Sequence, residues 1–593
     1  MSLLTESFPR ELDLPTNSTW DEAAPRDQLS AEQLANLGTL AARLTPGIAP
    51  ENPEQQANRE NEVYRLTRDP ETYEVNVESD ITLEDIERVT SPEDWALIQE
   101  WAEPLKGKIF TFINPTMEGG GVAMIRPAVV HMLNLLGAKA HWIVMEPLKS
   151  RPEEESSISP EKPLEEKPKE NPFIFTKLMH NISQRMTSER ITLAGKALHW
   201  KWADTQNGPV IERQEIIRDA DFIFIDDPQP APLFARLKKA NPEAKFIWRD
   251  HIDTDADLKA DPSTPQGEVA NYIFEECGIG KVDAVMTHPV ESFINKKLYD
   301  KTYFTPATYD PFDELNNELS DEQETEGMEF INAAIEEKNV WLIANGYTPI
   351  EPLSLDPNTE RLTQIARFCP SKAMEKAMKM DVMTRQQMRA QGVPEDELPE
   401  IVIVGNGSQD DPDGPWVFEE MLRLREQYPE EDRKSIIIMR LKHNYTAMNA
   451  LMRRSSIITQ TSDREGLETR VSDAINHGKP VVISNRGGIK TQVVEGESGI
   501  ILDFDRPDFD LKRGANFMSN LLMNPDEYAK MVRSTKKQSE LLNKREFRTS
   551  ANVARILRIC NDLTGHPVTT VDKKTWLMSD FVAASKDDKR IAA

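Results

Sequence analysis

The chain has 593 residues, 38% of them hydrophobic, and a formal net charge of −29. That length exceeds what one hydrophobic core supports and points to two large domains with appendages. The acidity repels nucleic acid and anionic membranes, and no apolar run nears the ~20 residues of a membrane-spanning helix.

The opening stretch MSLLTESFPRELDLP has no basic region followed by an apolar run, so no secretory signal is expected. Cys277, Cys369 and Cys560 are scattered singly. This argues against a disulfide framework and the usual zinc spacings, and predicts a reducing, cytoplasmic setting. Residues 1–75 are polar and acidic and read as an arm, with a helical apolar period only in AEQLANLGTLAARL at 31–44.

Beyond the arm the texture changes. KIFTFINP (108–115) is a strand signal, followed by a glycine loop with Gly119, Gly120 and Gly121, an amphipathic helix closed by Gly137, and a second strand at 139–145. Strand, loop, helix and strand make a βαβ unit and imply a parallel sheet. Residues 148–170 are charged and Pro-rich and read as a surface insertion. Strands then recur at DFIFIDDPQP (221–230), KFIWRDHID (245–253) and KVDAVMTHP (281–289), the first two ending in polar loops. YFTPATYDPFDELN (303–316) reads as a crossing linker, with an acidic stretch at 319–330 beyond it.

A second series begins near 361. LTQIARF is a strand, with CPSK opening a helix; EIVIVGNG (400–407), SIIIMRL (435–441), SIIT (456–459) and PVVIS (480–484) are further strands. The expected domains are 76–310 and 311–560, with a helical tail at 561–593 and apolar periods at 553–563 and 575–584 able to pack across both. Ligands of such sheets sit beyond the C-terminal ends of the strands, so the cleft between two of them is the expected site.

DREGLETRVSDAINHGKPVVISNRGG (463–488) carries the clearest chemistry. A helix is expected from near Leu467 or Glu468 to His477, with Gly478 ending it. Glu465 and Gly466 then precede a helix N-terminus, where free N–H groups and the helix dipole suit an anion. Carboxylates for hydroxyls and amides for phosphate would fit a sugar phosphate. The acidic DDPD run at 410–413 reads as a solvated loop, and no clustered metal-ligand set is visible.

Glu465 to Asp473, with HGKPVV and RGGI after it, resembles the Glu-x7-Glu signature of retaining glycosyltransferases of family 4, which have the GT-B fold. MEGGGVAMIRPAVVHMLNLLGAKAHW, FIFTKLMHN, FIFIDDPQP, WRDHID, STPQGEVANYIF, MTHPVESFI, ARFCPSK and VGNGSQDDPDG resemble the trehalose branch of that family, nearest to the fungal-type trehalose phosphorylases and their clock-controlled relatives, over about 100–565. The resemblance implies an α/β protein of GT-B type: two doubly wound Rossmann-like domains facing across a cleft, the first binding acceptor and the second donor or phosphate, with C-terminal helices crossing back.

By the same resemblance, Arg367 and Lys372 grip phosphate and Glu465 contacts glucose hydroxyls. Asp227 and His251 lie nearest the reacting sugar, and Gly119, Gly120 and Gly121 close over phosphate. Gly466, Leu467, Asp473, Gly487 and Gly488 flank sugar or phosphate. The implied reaction exchanges trehalose and phosphate for glucose and α-glucose 1-phosphate, with no cofactor and no metal. A trehalose synthase using a nucleotide-diphosphate glucose shares almost every motif, and a non-catalytic scaffold of the same fold is a third possibility. The implied partners are these sugars and phosphates, with a homo-oligomer compatible. Three positions depart from the pattern. Asp473 is one methylene shorter than the second Glu, which weakens its expected ribose contact, while Asp226 and Asp250 are expected to add negative charge near the phosphate.

Overall fold

The computed structural model describes residues 63–117, 121–148, 171–251, 259–407 and 412–592. The helix expected at 31–44, Gly119, Gly120 and most of the insertion (149–170) lie outside the described residues. Ahead of the first sheet stands a hairpin, β1 (Arg65–Arg68) and β2 (Val75–Glu78), antiparallel with Arg65 opposite Glu78. Tyr64, Leu66 and Val75 of this stretch are buried in the first domain's core, so the part of the expected arm from 64 onward packs as part of that domain.

The first sheet is built from β3 (Ile109–Asn114), β4 (Lys139–Val144), β5 (Phe222–Asp226), β6 (Lys245–Asp250), β7 (Ala284–Thr287) and β8 (Thr302–Phe304). All its strands are parallel, in the order β4-β3-β5-β6-β7-β8. A parallel sheet covered on both faces buries both sides of each strand, which is why FIFID of β5 is buried at every position and reads as an unbroken apolar run. Two helices pack on this sheet. α1 (Pro92–Ala102) starts at Ser91, whose hydroxyl accepts from the Asp94 N–H, and buries Trp95, Ile98 and Trp101. α2 (Gly121–Leu135) begins at Gly121, and the chain turns at Gly137, whose φ of +94° suits glycine.

α3 (Pro172–Ser183) follows the insertion and borders the cleft. After the first sheet, α4 (Asp321–Ala344) covers the acidic stretch at 319–330 as a 24-residue helix. Ser320 and Gln323 form a capping box, and Met328, Ile331, Ile335 and Leu342 form its buried stripe.

The second sheet holds β9 (Arg361–Ile365), β10 (Glu400–Asn406), β11 (Ile436–Leu441), β12 (Ile457–Gln460), β13 (Val481–Ser484) and β14 (Gly499–Leu502). It too is parallel, in the order β11-β10-β9-β12-β13-β14. That is the doubly wound order, with its switch point between β9 and β12. α5 (Met374–Ala390) follows β9. α4 lies against α6 (Tyr445–Arg454), where a side chain on Gly327 would meet the Ala450 Cβ at 2.6 Å. α7 (Thr469–Asn476) follows β12 and carries the signature.

The chain then returns to the first domain. In α8 (Thr549–Leu563), Ala551, Val553, Ile556, Leu557 and Cys560 join the core of the first sheet, with Phe581 of α9 (Met578–Ala592). The crossing back therefore precedes residue 561. The two crossing segments pair with each other: the Tyr309 N–H donates to the Phe547 carbonyl at 2.8 Å and the Thr549 N–H to the Tyr309 carbonyl at 3.0 Å. Tyr309 and Phe547 share a small buried cluster with Leu467.

Among the described residues, no helix is long and apolar enough to cross a membrane.

Candidate active-site cleft

The C-terminal ends of both sheets face one cavity of about 250 Å³. Asn114 at the end of β3, Asp227 after β5, His251 after β6 and His288 after β7 line it from the first domain. Arg367 and Lys372 after β9, Asn406 of β10 and the loop 464–467 after β12 line it from the second. Strand order reverses at β3/β5 and at β9/β12, so the two crevices that open there meet in one cleft.

Asp227 has a φ of +64°, in the left-handed region that Asp tolerates, and its N–H donates to the Arg249 carbonyl at 3.0 Å. The chain thus turns sharply off β5 with the carboxyl at the cleft. His251 and His288 lie edge to face, ring centroids 5.4 Å apart. Burial, reinforced by Arg249, holds His251 well below the ordinary imidazole range and His288 at about 3. Both rings are therefore neutral near pH 7. His251 Nε2 has no hydrogen-bond partner among the described residues, so it suits a neutral ligand such as a sugar hydroxyl.

This makes a pH prediction. His288 is neutral when folded but takes a proton near pH 6.5 when unfolded, so the unfolded state binds more protons between pH 6.5 and 3 and stability falls as pH drops through that window. A His288→Asn variant should escape about 1.4 kcal/mol of that loss per pH unit. Denaturant melts of both proteins at pH 7, 6 and 5 measure it; parallel pH profiles would rule out a buried neutral His288.

Lys372 sits in a strained turn, since Ala373 after it has a φ of +44°. The turn is tied down: the Gln364 amide donates to the Lys372 carbonyl at 3.2 Å and the Thr461 hydroxyl to the Ala373 carbonyl at 3.0 Å. The ammonium is ion-paired with both Glu465 and Glu468. Burial alone would lower its pKa, but the two carboxylates outweigh that and raise it. Burial raises Glu465 against the pull of Lys372, while Glu468 is held low because Lys372 and Arg470 outweigh its burial.

Glu465 and Gly466 do precede the helix, whose N-cap is Glu468 and after which Gly478 has a φ of +72°. Gly466 lies directly against the first domain: a Cβ there would meet the His288 ring at 2.6 Å and the His251 carbonyl at 3.2 Å. The Gly488 N–H donates to the Gly466 carbonyl at 2.7 Å, so Gly488 supports that loop, and neither it nor Gly487 lines the cavity. Leu467 lines the cavity and Gly121 begins α2.

The three departures resolve structurally. Asp473 is buried behind the cleft and pairs with Arg470 at 2.7 Å; burial pushes its carboxyl up to about 6 against the pull of that guanidinium. It holds Arg470, which lines the cavity, and does not itself line it. Asp226 is wholly buried in an ion pair with Arg126, whose guanidinium lies 4.1 Å over the Phe112 ring. Asp250 faces Lys259 at 3.7 Å. The charge expected to disturb a phosphate at positions 226 and 250 is thus matched by neighbouring cations.

Asp413 of the acidic run is not a solvated side chain but reaches across the cleft, with Lys177 Nζ at 3.8 Å and the Asn181 amide at 3.3 Å. Sequence reasoning passed over Lys177, His288, Arg464, Glu468 and Arg470, although each lies within a stretch it singled out. Lys177 Nζ lies 2.9 Å from Cys369 Sγ, and the Arg464 Nε donates to the Gln184 carbonyl at 2.9 Å, so both tie one domain to the other.

Two family models match the chain: "Trehalose synthase, N-terminal domain" over 165–294 and "Glycosyl transferases group 1" over 365–513. A trehalose phosphorylase of Grifola frondosa is 30% identical over 426 residues, 69% of this chain and 52% of that protein. A trehalose synthase of Thermococcus litoralis is 30% identical over 422 residues, 71% of this chain and 84% of that protein. The chain thus spans about half the length of the phosphorylases it matches and most of the synthase. Among solved structures, the N-terminal domain of a Candida albicans trehalose-6-phosphate phosphatase superposes with a TM-score of 0.51 at 12% identity, covering 78% of this chain and 97% of that one. The chain belongs to the group 1 glycosyltransferases of GT-B fold, in the branch shared by trehalose phosphorylases and trehalose synthases.

Proposed function

We propose that this chain transfers a glucosyl group between trehalose and phosphate with retention of the α configuration, giving glucose and α-glucose 1-phosphate. The observation that carries the reading is the convergence of Asp227 and His251 from one sheet with Arg367, Lys372 and Glu465 from the other on a single cavity. The carboxylates of Asp227 and Glu465 and the neutral His251 suit sugar hydroxyls. Arg367 and Lys372 supply positive charge where the phosphate attacks or leaves. The sugar is held between the two domains, so positioning and fixed charge supply the catalysis, with water kept out. Phosphate enters as substrate and no cofactor takes part. The setting is cytoplasmic, a reading supported by three free, buried cysteines.

A second reading, a trehalose synthase using a nucleotide-diphosphate glucose, is favoured by the 30% identity to the Thermococcus litoralis trehalose synthase over 71% of this chain. Against it stands Asp473, withdrawn from the cleft and paired with Arg470.

Incubation with trehalose and inorganic phosphate, without nucleotide, should release glucose and α-glucose 1-phosphate in equal amounts, and Glu465→Ala should abolish it. Arg367→Ala should lower kcat/KM about 10²-fold, as loss of one charge-stabilising donor does. Trehalose formed only from glucose and a nucleotide-diphosphate glucose would select the second reading.

A further inference from the structure

The ammonium of Lys372 is shared by two carboxylates, and only Glu465 has work to do with the sugar. Glu468 also lines the cavity, and the chain holds it in place from every side. As the N-cap of α7, its Oε1 accepts from the Arg470 N–H at 3.3 Å, while its Oε2 takes Lys372. Its N–H donates to Gln492 Oε1 at 3.1 Å and its carbonyl accepts from Gln492 Nε2 at 2.9 Å. Gln492 in turn donates to the Ser472 hydroxyl at 2.8 Å. A helix N-terminus beside a lysine and an arginine is a place for an anion, and here the chain supplies that anion itself.

We propose that Glu468 is an internal counter-anion: it holds Lys372 while the phosphate position is empty, shares it with an incoming phosphate group, and sets the strength and selectivity of anion binding. The inference rests on the reading of Lys372 as a phosphate-binding residue. A phosphate at Lys372 must lie beside a carboxylate already within hydrogen-bonding distance of the same ammonium, so each negative charge it brings is repelled. A single phosphate meets the smaller penalty. A diphosphate, with more charge to place, meets the larger, so Glu468 discriminates against diphosphate-bearing donors by repulsion rather than by shape.

The test is calorimetric titration of the full chain with inorganic phosphate and with inorganic pyrophosphate at constant ionic strength. Glu468→Gln keeps an oxygen for the Arg470 N–H and removes only the charge. It should bind phosphate about tenfold more tightly, and pyrophosphate should gain by a larger factor. Adding Lys372→Met should cancel both gains. In turnover, the KM for phosphate should fall by the same factor with that for trehalose unchanged. Unchanged or weaker phosphate binding by a folded Glu468→Gln protein, an equal gain for both anions, or a gain that survives Lys372→Met would each overturn the proposal. Should the amide fail to fold, Glu468→Ser, whose hydroxyl also caps a helix, takes its place. A wild-type protein without phosphorolysis whose Lys372-dependent gain is still seen would overturn the phosphorylase reading alone. An active wild type without the gain would overturn the role of Glu468 alone.

Discussion

Replacing Lys372 with methionine should cost the protein both activity and stability, and the stability loss should shrink as the pH falls. Lys372 is the shared partner of Glu465 and Glu468, and all three are largely buried. Methionine keeps the apolar stem and removes the charge, leaving two carboxylates close together without their cation. Breaking a buried pair in this way costs about 3–5 kcal/mol. Loss of one stabilising donor to the transition state lowers kcat by a further 10²–10³-fold or so. The sign of the pH effect follows from the same charges. Without Lys372 both carboxyls have folded pKa values above their unfolded ones, so the destabilisation is fully present at neutral pH and is relieved as protons bind in acid. Denaturant melts at pH 8 and pH 5 should show a gap between variant and wild type that narrows in acid. A gap independent of pH would mean that the ammonium does not hold the two acids together.

The second large effect is predicted far from any ligand. Arg126 lies on α2 and Asp226 at the end of β5, and the two form an ion pair in which neither side chain is more than 1% exposed. Arg126→Met leaves the Asp226 carboxylate in the interior without this partner and should destabilise the protein by about 3–5 kcal/mol. Arg126→Met combined with Asp226→Leu should recover only part of that, because Asp226 is also the main counter-charge of the buried Arg249 guanidinium. A double variant more unstable than the single one would show that Arg249, rather than Arg126, is the cation that most needs Asp226. Asp226 directly precedes Asp227, so the single variant should also lower kcat/KM through a displaced Asp227, and the double variant should separate the two effects.

The parallel strands were legible because both their faces are buried, which turns FIFID or EIVIV into runs that no amphipathic helix produces. β14 was not read. Its GIIL is short, begins with glycine and carries too few apolar residues to stand out. α4 was read only as an acidic stretch, because its exposed face supplies Asp321, Glu322 and Glu324, and the stripe of Met328, Ile331, Ile335 and Leu342 is spaced widely among charges. At the site, Arg367, Lys372 and Glu465 were visible through the motifs around them. The pairing of Lys372 with Glu468 was not, because the two are 96 residues apart and only the sheet order brings β9 beside β12. For the same reason Asp226 and Asp250 read as excess charge, since nothing local reveals that Arg126 or Lys259 turns towards them. Asp473 was assigned to the ligand by its place in the Glu-x7-Glu signature that the chain resembles, whereas the contact seen in the structure is with its helical neighbour Arg470.

The pairing of the two crossing segments has a mechanical consequence. The chain leaves the first domain once and re-enters it once, and the two passages are hydrogen-bonded side by side at Tyr309, Phe547 and Thr549. Two adjacent, bonded passages join the domains at one place, so a change in the angle between the domains would be taken up there. Leu467 is packed on Tyr309 and Phe547 at that pivot, and Glu465 is two residues away. A change in the angle between the domains would therefore act on the loop that carries Glu465, so that the width of the cleft and the position of that carboxylate are set together.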